Sequence, residues 1–242
     1  MLLELGIAEK VKQLRREGLR PSEQLVRSII RAGDAAVGPL LALATDVDLL
    51  HEEQPDSFAP LHALRLLGEL GAVEIVEPLL REFPISLDYE DEDLPEMWAS
   101  EATQIIGHLG AVAIEPLWRI ADDESWNMAG RSGALTALGY VTAVAPETRD
   151  EIIAGIRERL ERSEDKVLAS HLAIALANLG VSDLYPEMMA MFRAGKLDQD
   201  ILPAAAARQL LLSDSTKRLA CAKHPLWERY DQHGPFPEQE EV

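Results

Sequence analysis

The side chains of this chain best suited to hold a metal are six histidines and one cysteine. His51-Glu52 places two donors side by side in an acidic stretch, whereas His62, His108 and His171 sit in Leu- and Ala-rich runs without a neighbouring glutamate. One His-Glu pair supplies too few donors for a dinuclear centre, and His51 reads as a solvated loop residue. Cys221, His224 and His233 give Cys-x2-His-x8-His. Zinc takes four ligands, or three and a water, and nothing in the spacing fixes Glu228 or Asp231 as the fourth. These residues read as part of a C-terminal capping segment. The chain contains no P-loop, dinucleotide fingerprint or G-x-S-x-G elbow. The expectation is no metal, no cofactor and no catalytic residue.

What remains is chemistry of recognition. Glu77 and Arg81, and again Glu115 and Arg119, are spaced four apart, with the acid on the N-terminal side. On a helix this is the favourable orientation for an ion pair, worth ~0.3–0.5 kcal/mol. An alternative is that Arg81 and Arg119 form a positive ladder for an acidic or C-terminal group. Trp98, Trp118 and Trp126 fall near the same end of successive segments. Trp118 occupies a position that Leu41 and Leu80 fill elsewhere, so it is expected in the core. Trp98 and Trp126 are expected to wedge at helix starts and are candidates for partner contact.

The net charge of −19 is unevenly spread. Residues 34 to 130 hold twenty-one acids against three bases, Arg65, Arg81 and Arg119. Phosphate backbones need Lys and Arg, so nucleic acid is excluded as a partner. The acids gather in short segments: Asp46 and Asp48; Asp88 to Asp93, with Asp91 and Asp93; Asp122, Asp123 and Glu124; Glu164 and Asp165. No run approaches the ~18 apolar residues of a membrane span, and the N-terminus lacks the pattern of a secretory signal. With one cysteine and no intrachain disulfide, the expected setting is the cytoplasm.

The elements that must position these residues recur. Gly33…Pro39-Leu40, Gly71…Pro78-Leu79 and Gly110…Pro116-Leu117 are copies of one pattern about forty residues apart. Gly180…Pro186 is weaker, and Gly139…Pro146 is degenerate. Each copy follows an apolar helical run, and such a period is the mark of stacked helical pairs. Glycine supplies the left-handed residue that ends the first (A) helix, and proline suits the start of the second (B). Five pairs are expected: 22–32 with 35–44, 59–70 with 73–83, 97–109 with 112–121, 131–141 with 147–162, and 166–179 with 183–194. A second glycine inside the A helices, Gly68 and Gly107, costs ~1 kcal/mol of helix propensity and predicts close approach between neighbours. Residues 1–20 are expected to form an N-terminal capping helix, 196–230 C-terminal capping helices, and 231–242 a tail.

The segments Ala63-Leu64-Arg65-Leu66-Leu67-Gly68-Glu69-Leu70-Gly71 with Val76-Glu77-Pro78-Leu79-Leu80, and Ile105-Ile106-Gly107-His108-Leu109-Gly110 with Ile114-Glu115-Pro116-Leu117, resemble the short HEAT-like repeat of phycobilisome lyases of the E/Z type. The resemblance covers residues 22 to 195, most specifically 59 to 121. It implies an all-α, armadillo-like fold, a right-handed α–α superhelix whose B helices line the concave side. It carries little chemistry, because such repeats occur in enzymes, adaptors and scaffolds. Deoxyhypusine hydroxylase, similar in architecture, holds two irons through several His-Glu pairs; here only His51-Glu52 is such a pair. A bilin lyase would need a surface for a linear tetrapyrrole, which the tryptophans would have to provide.

The sequence therefore predicts a single elongated HEAT-like domain over 1–242. Its leading function is a non-enzymatic adaptor or scaffold for a protein or peptide, a basic one. A bilin-lyase-type chaperone and a metal-dependent hydroxylase are the alternatives. The expected contact residues are Glu77, Arg81, Glu115, Arg119, Trp98, Trp126, Asp91, Asp93, Asp122 and Asp123. In a regular stack, equivalent turns share one edge, so the acidic turns should form a ridge that steers a basic partner.

Overall fold

Where each apolar run meets its glycine, the chain turns. The computed structural model describes residues 6–84 and 93–233, and their regular structure is entirely helical. Helix α1 (Ile7–Lys12) runs on into a 3-10 turn. The five expected pairs follow: α2 (Glu23–Ile30) with α3 (Asp34–Ala44), α4 (Ala59–Leu70) with α5 (Val76–Arg81), α6 (Asp93–His108) with α7 (Ile114–Asp122), α8 (Met128–Val144) with α9 (Arg149–Arg162), and α10 (Lys166–Asn178) with α11 (Tyr185–Arg193). Gly71 and Gly110 both have φ near +70°, the left-handed conformation that L side chains avoid. The fourth pair departs from the pattern. Helix α8 runs through Gly139 to Val144, and the break comes at Ala145-Pro146, where proline cannot continue a helix.

The A helices pack side by side in chain order, α4 on α6, α6 on α8, α8 on α10, and α10 on α12 (Ala204–Leu212). The interior glycines set that spacing. A methyl group on Gly68 would come within 2.6 Å of Ile105 Cδ1. One on Gly107 would drive into Tyr140 Cβ and lie 3.1 Å from the Tyr140 carbonyl carbon. Leu64, Leu67, Ile106, Leu138 and Leu176 are fully buried along this layer.

The C-terminal segment does not simply cap the end. Helix α12 packs on α10 and α11, but beyond it α13 (Ser215–Leu219), a 3-10 turn and α14 (Leu226–His233) run back across the A helices. Within the capping helices expected over 196–230, the stretch after Ser215 is interrupted at Pro225, with His224 extended before it. This strap packs across α8 and is fastened by polar contacts on α10, α6 and α4. Arg218 donates to the Asn178 carbonyl on α10 at 2.8 Å. His108 on α6 donates from Nδ1 to the Ala222 carbonyl at 2.7 Å, and Arg229 to Gln104 at 3.1 Å. On α4, Glu69 accepts the Leu226 N–H at 2.9 Å.

The strap ends over a buried polar centre. Arg65 and Glu101 form a two-pronged ion pair, with Arg65 Nε 2.8 Å from Glu101 Oε2, and both side chains lie out of water. The Arg65 guanidinium lies 4.4 Å from the Tyr230 ring centroid. His62 bridges Tyr230 and the Gly18 carbonyl, at 2.8 and 2.9 Å. A carbonyl only accepts, so Nε2 carries the proton and Nδ1 accepts from the Tyr230 hydroxyl. Burial, helped by the Arg65 charge, pushes the His62 pKa down to about 4, against the opposing hydrogen bond to Gly18.

Two expectations follow for stability. Tyr140 Cβ is fixed to its backbone and cannot swing aside, whereas Ile105 Cδ1 is the end of a flexible side chain. Gly107→Ala should therefore cost ~1–3 kcal/mol through overpacking, and Gly68→Ala much less, since its gain in helix propensity is ~1 kcal/mol; urea midpoints will show the difference, and equal midpoints would contradict the close approach. For His62, the unfolded chain takes up a proton near pH 6.5 that the folded chain refuses until about pH 4. Stability should fall as pH drops across that window, by up to about 3 kcal/mol. In His62→Gln the slope between pH 6.5 and 5 should flatten, and an unchanged slope would place the titration elsewhere.

Candidate interaction surface

The helical register that places Arg81 one turn beyond Glu77 repeats at Glu115 and Arg119, and both pairs form. Arg81 Nη2 lies 2.7 Å from Glu77 Oε1, and Arg119 Nη2 lies 3.5 Å from Glu115 Oε2; all four side chains are exposed. They border an open groove of about 550 Å³ that runs along α5, with Glu74, Glu77, Arg81, Pro116 and Arg119 in its lining. Alongside α5, which has 6 residues, the groove is bounded by Thr45, just past the end of α3, and by Pro116 and Arg119 of α7. The two arginines are not alike. Arg81 also lies 4.3 Å from the ring centroid of Trp126, so its cation is held between a carboxylate and an indole. Neither arginine is an unengaged rung of a positive ladder.

Trp98 belongs elsewhere, and its placement is a correction. It is 1% exposed, and its Nε1–H donates to the Ala44 carbonyl at 2.9 Å. Its large ring fills the space between the start of α6 and the end of α3, so it offers nothing to a partner. Trp118, expected in the core, is instead half-buried. Its ring packs over Gly155 of α9 and under the Arg159 guanidinium, 3.8 Å from the centroid. With Trp98 enclosed and the other two rings each covered by an arginine, these tryptophans form no open aromatic plate for a tetrapyrrole.

The acidic turns are partly brought together. The turn after α7, with Asp122 and Glu124, and the turn after α9, with Glu164 and Asp165, face each other across a second groove of about 470 Å³. Several of their carboxylates are already engaged. Arg159 grips Asp122 with two hydrogen bonds of 2.6 Å. Asp123 accepts the Ser125 N–H at 2.9 Å, which holds its carboxyl below the usual range. Asp165 caps α10, accepting from Val167 at 2.8 Å. Glu124 and Glu164 are exposed and make no ion pair among the described residues. Asp91 lies outside the described residues, as does the side chain of Asp93, whose backbone opens α6.

Sequence reasoning missed the three arginines of this second groove, Arg131, Arg159 and Arg162, the last paired with Glu158. Arg159 is legible afterwards from Gly155 four residues before it, a small residue in a strongly charged helix that makes room for the Trp118 ring. Arg131, near the start of α8, is 9% exposed and donates from Nε to the Ala121 carbonyl at 2.9 Å. Elsewhere, the Cys221 thiol donates to the Arg218 carbonyl at 3.4 Å, and burial pushes its pKa up. Among the described residues no three His, Cys, Asp or Glu side chains gather as metal ligands, and no helix is long and apolar enough to cross a membrane.

These features define an all-helical protein in which the A helices pack side by side, with a C-terminal strap across them and two open grooves beside the remaining helices and turns. Comparisons of the chain with family models, curated proteins and solved structures find no match.

The asymmetry between the two arginines is measurable. Arg81→Ala loses an ion pair and a cation–π contact and should cost about 1 kcal/mol, whereas Arg119→Ala loses one exposed pair and should cost under about 0.5 kcal/mol. Thermal melts of the two variants will decide it; equal losses would mean that the Trp126 contact contributes nothing.

Proposed function

We propose that this protein is a non-catalytic scaffold of the HEAT-like kind, a right-handed α–α superhelix with the B helices on its concave side, that binds a basic protein or peptide. The observation that carries this reading is the second groove. Turns from consecutive pairs approach each other there, and Glu124 and Glu164 face solvent without a cation. Carboxylates in that arrangement attract cations and raise the rate of encounter with a basic segment. The local excess of acids between residues 34 and 130 extends the same field along the chain. The groove along α5 offers a second, more neutral contact, where carboxylates and guanidinium groups alternate.

The reading is tested with a lysine- and arginine-rich peptide titrated into the protein at 50 and 300 mM salt. Binding at low salt and at least a tenfold loss at high salt are expected, because exposed charges are screened within roughly 10 Å at moderate ionic strength. Glu124→Gln with Glu164→Gln should weaken the complex and reduce the salt dependence. Absence of binding at 50 mM salt would sink the proposal.

A further inference from the structure

The floor of the second groove is apolar while its rim is charged. Leu135 and Leu172, both 1% exposed, line it together with Ala121 and the half-buried Leu168. Into this floor comes one charged side chain, Arg131, about nine-tenths removed from water. Its Nε is bound to the Ala121 carbonyl; its two terminal nitrogens form no hydrogen bond with a described residue and, not being fully enclosed, reach the water of the groove. The nearest acids do not serve it. Asp122 is held by Arg159, and Asp123 senses the Arg131 charge without pairing with it. A mostly enclosed guanidinium whose terminal nitrogens still open on a groove is a ready donor to an incoming anion. Its planar fork matches a carboxylate through two parallel hydrogen bonds.

We infer that this groove binds the C-terminus of a basic polypeptide, the terminal carboxylate on the Arg131 fork, the last apolar side chain against Leu135, Leu168 and Leu172, and the preceding Lys or Arg side chains on Glu124 and Glu164. The inference rests on the scaffold reading and sharpens it, since it names which part of a basic partner is recognised. Three chemistries converge within one groove, and they fit one occupant. An inorganic anion would leave the leucine floor uncovered and would meet the rim carboxylates as like charges. An internal basic segment would satisfy the rim and leave Arg131 without an anion. A chain end with an apolar last residue and basic residues before it meets all three.

The test uses the native protein and one short peptide, rich in lysine and arginine and ending in leucine, prepared as the free acid and as the C-terminal amide. Attraction to the acidic rim by itself favours the amide, which carries one more net positive charge. The inference requires the reverse, with the free acid binding at least tenfold tighter. Replacing the last leucine by glycine should weaken the free acid by about tenfold, a comparison that needs no protein variant. Arg131→Gln should abolish the preference for the free acid and leave the amide's affinity unchanged. Equal or tighter binding of the amide overturns this inference while the scaffold reading stands; binding of neither form overturns both.

Discussion

A helix rich in leucine and alanine around most of its circumference cannot leave a face in water, and α4 is such a helix. Every residue from Ala59 to Gly68 is buried. Packing against α3 and α6 covers part of its circumference, and in a simple two-layer stack the outer part would remain exposed. The chain meets this constraint by returning its C-terminal segment over the A layer and setting α14 against α4. Tyr230 supplies the apolar cover, and its hydroxyl and ring satisfy the polar groups, His62 and Arg65, that the helix carries there. Arg65 is matched by Glu101 from the next A helix, so the charge that the strap encloses is neutralised before it is covered. Buried pairs of this kind are weak sources of net stability but severe penalties when broken. They fix which surfaces may meet.

With the A face closed, the grooves that remain open lie elsewhere. The open grooves border the B helices and the turns between pairs, and both hold charged side chains beside apolar surface. Many of the charges there are consumed internally. Asp122 holds Arg159, Asp165 caps a helix, and Glu77 and Trp126 share Arg81. What the surface offers a partner is therefore less than the sum of its formal charges, and more specific. A few residues, Glu124, Glu164 and the solvent-reaching terminal nitrogens of Arg131, are not held by another described side chain.

The pairs were legible because their causes are local. Glycine at the A–B turn, proline at the start of B, and glycine within A each act over one or two turns of chain, and left their marks at 71 and 110, at 78 and 116, and at 68 and 107. The fourth pair was legible only in outline, since a glycine at 139 that stays helical looks the same in sequence as one that ends a helix. The strap was not read at all, although it left a trace. His62, Arg65 and Glu69 on α4 and Glu101, Gln104 and His108 on α6 share one spacing, three and then four residues. Each forms a polar stripe along one face of its helix, and every member meets the strap or the pair beneath it. A stripe like this signals that something polar is to be met, but the partner lies more than a hundred residues away and no local rule names it. Trp98 was misplaced for a related reason: an indole at a helix start is equally suited to rim or interior, and only the Ala44 carbonyl decides.

The returning segment also sets a ruler against the array. Tandem-repeat proteins usually grow or shrink by whole units, because each unit touches only its neighbours. Here residues 213 to 233 must reach from α10 to α4, with an anchor at α8 and α6 on the way. Duplicating one internal pair would push the two ends apart by about 10 Å, the spacing of packed helices, and Tyr230 would no longer arrive above Arg65. The number of units between α4 and α10 is thus locked to the length of the chain that spans them, and evolution of this protein by unit gain or loss would have to change both together.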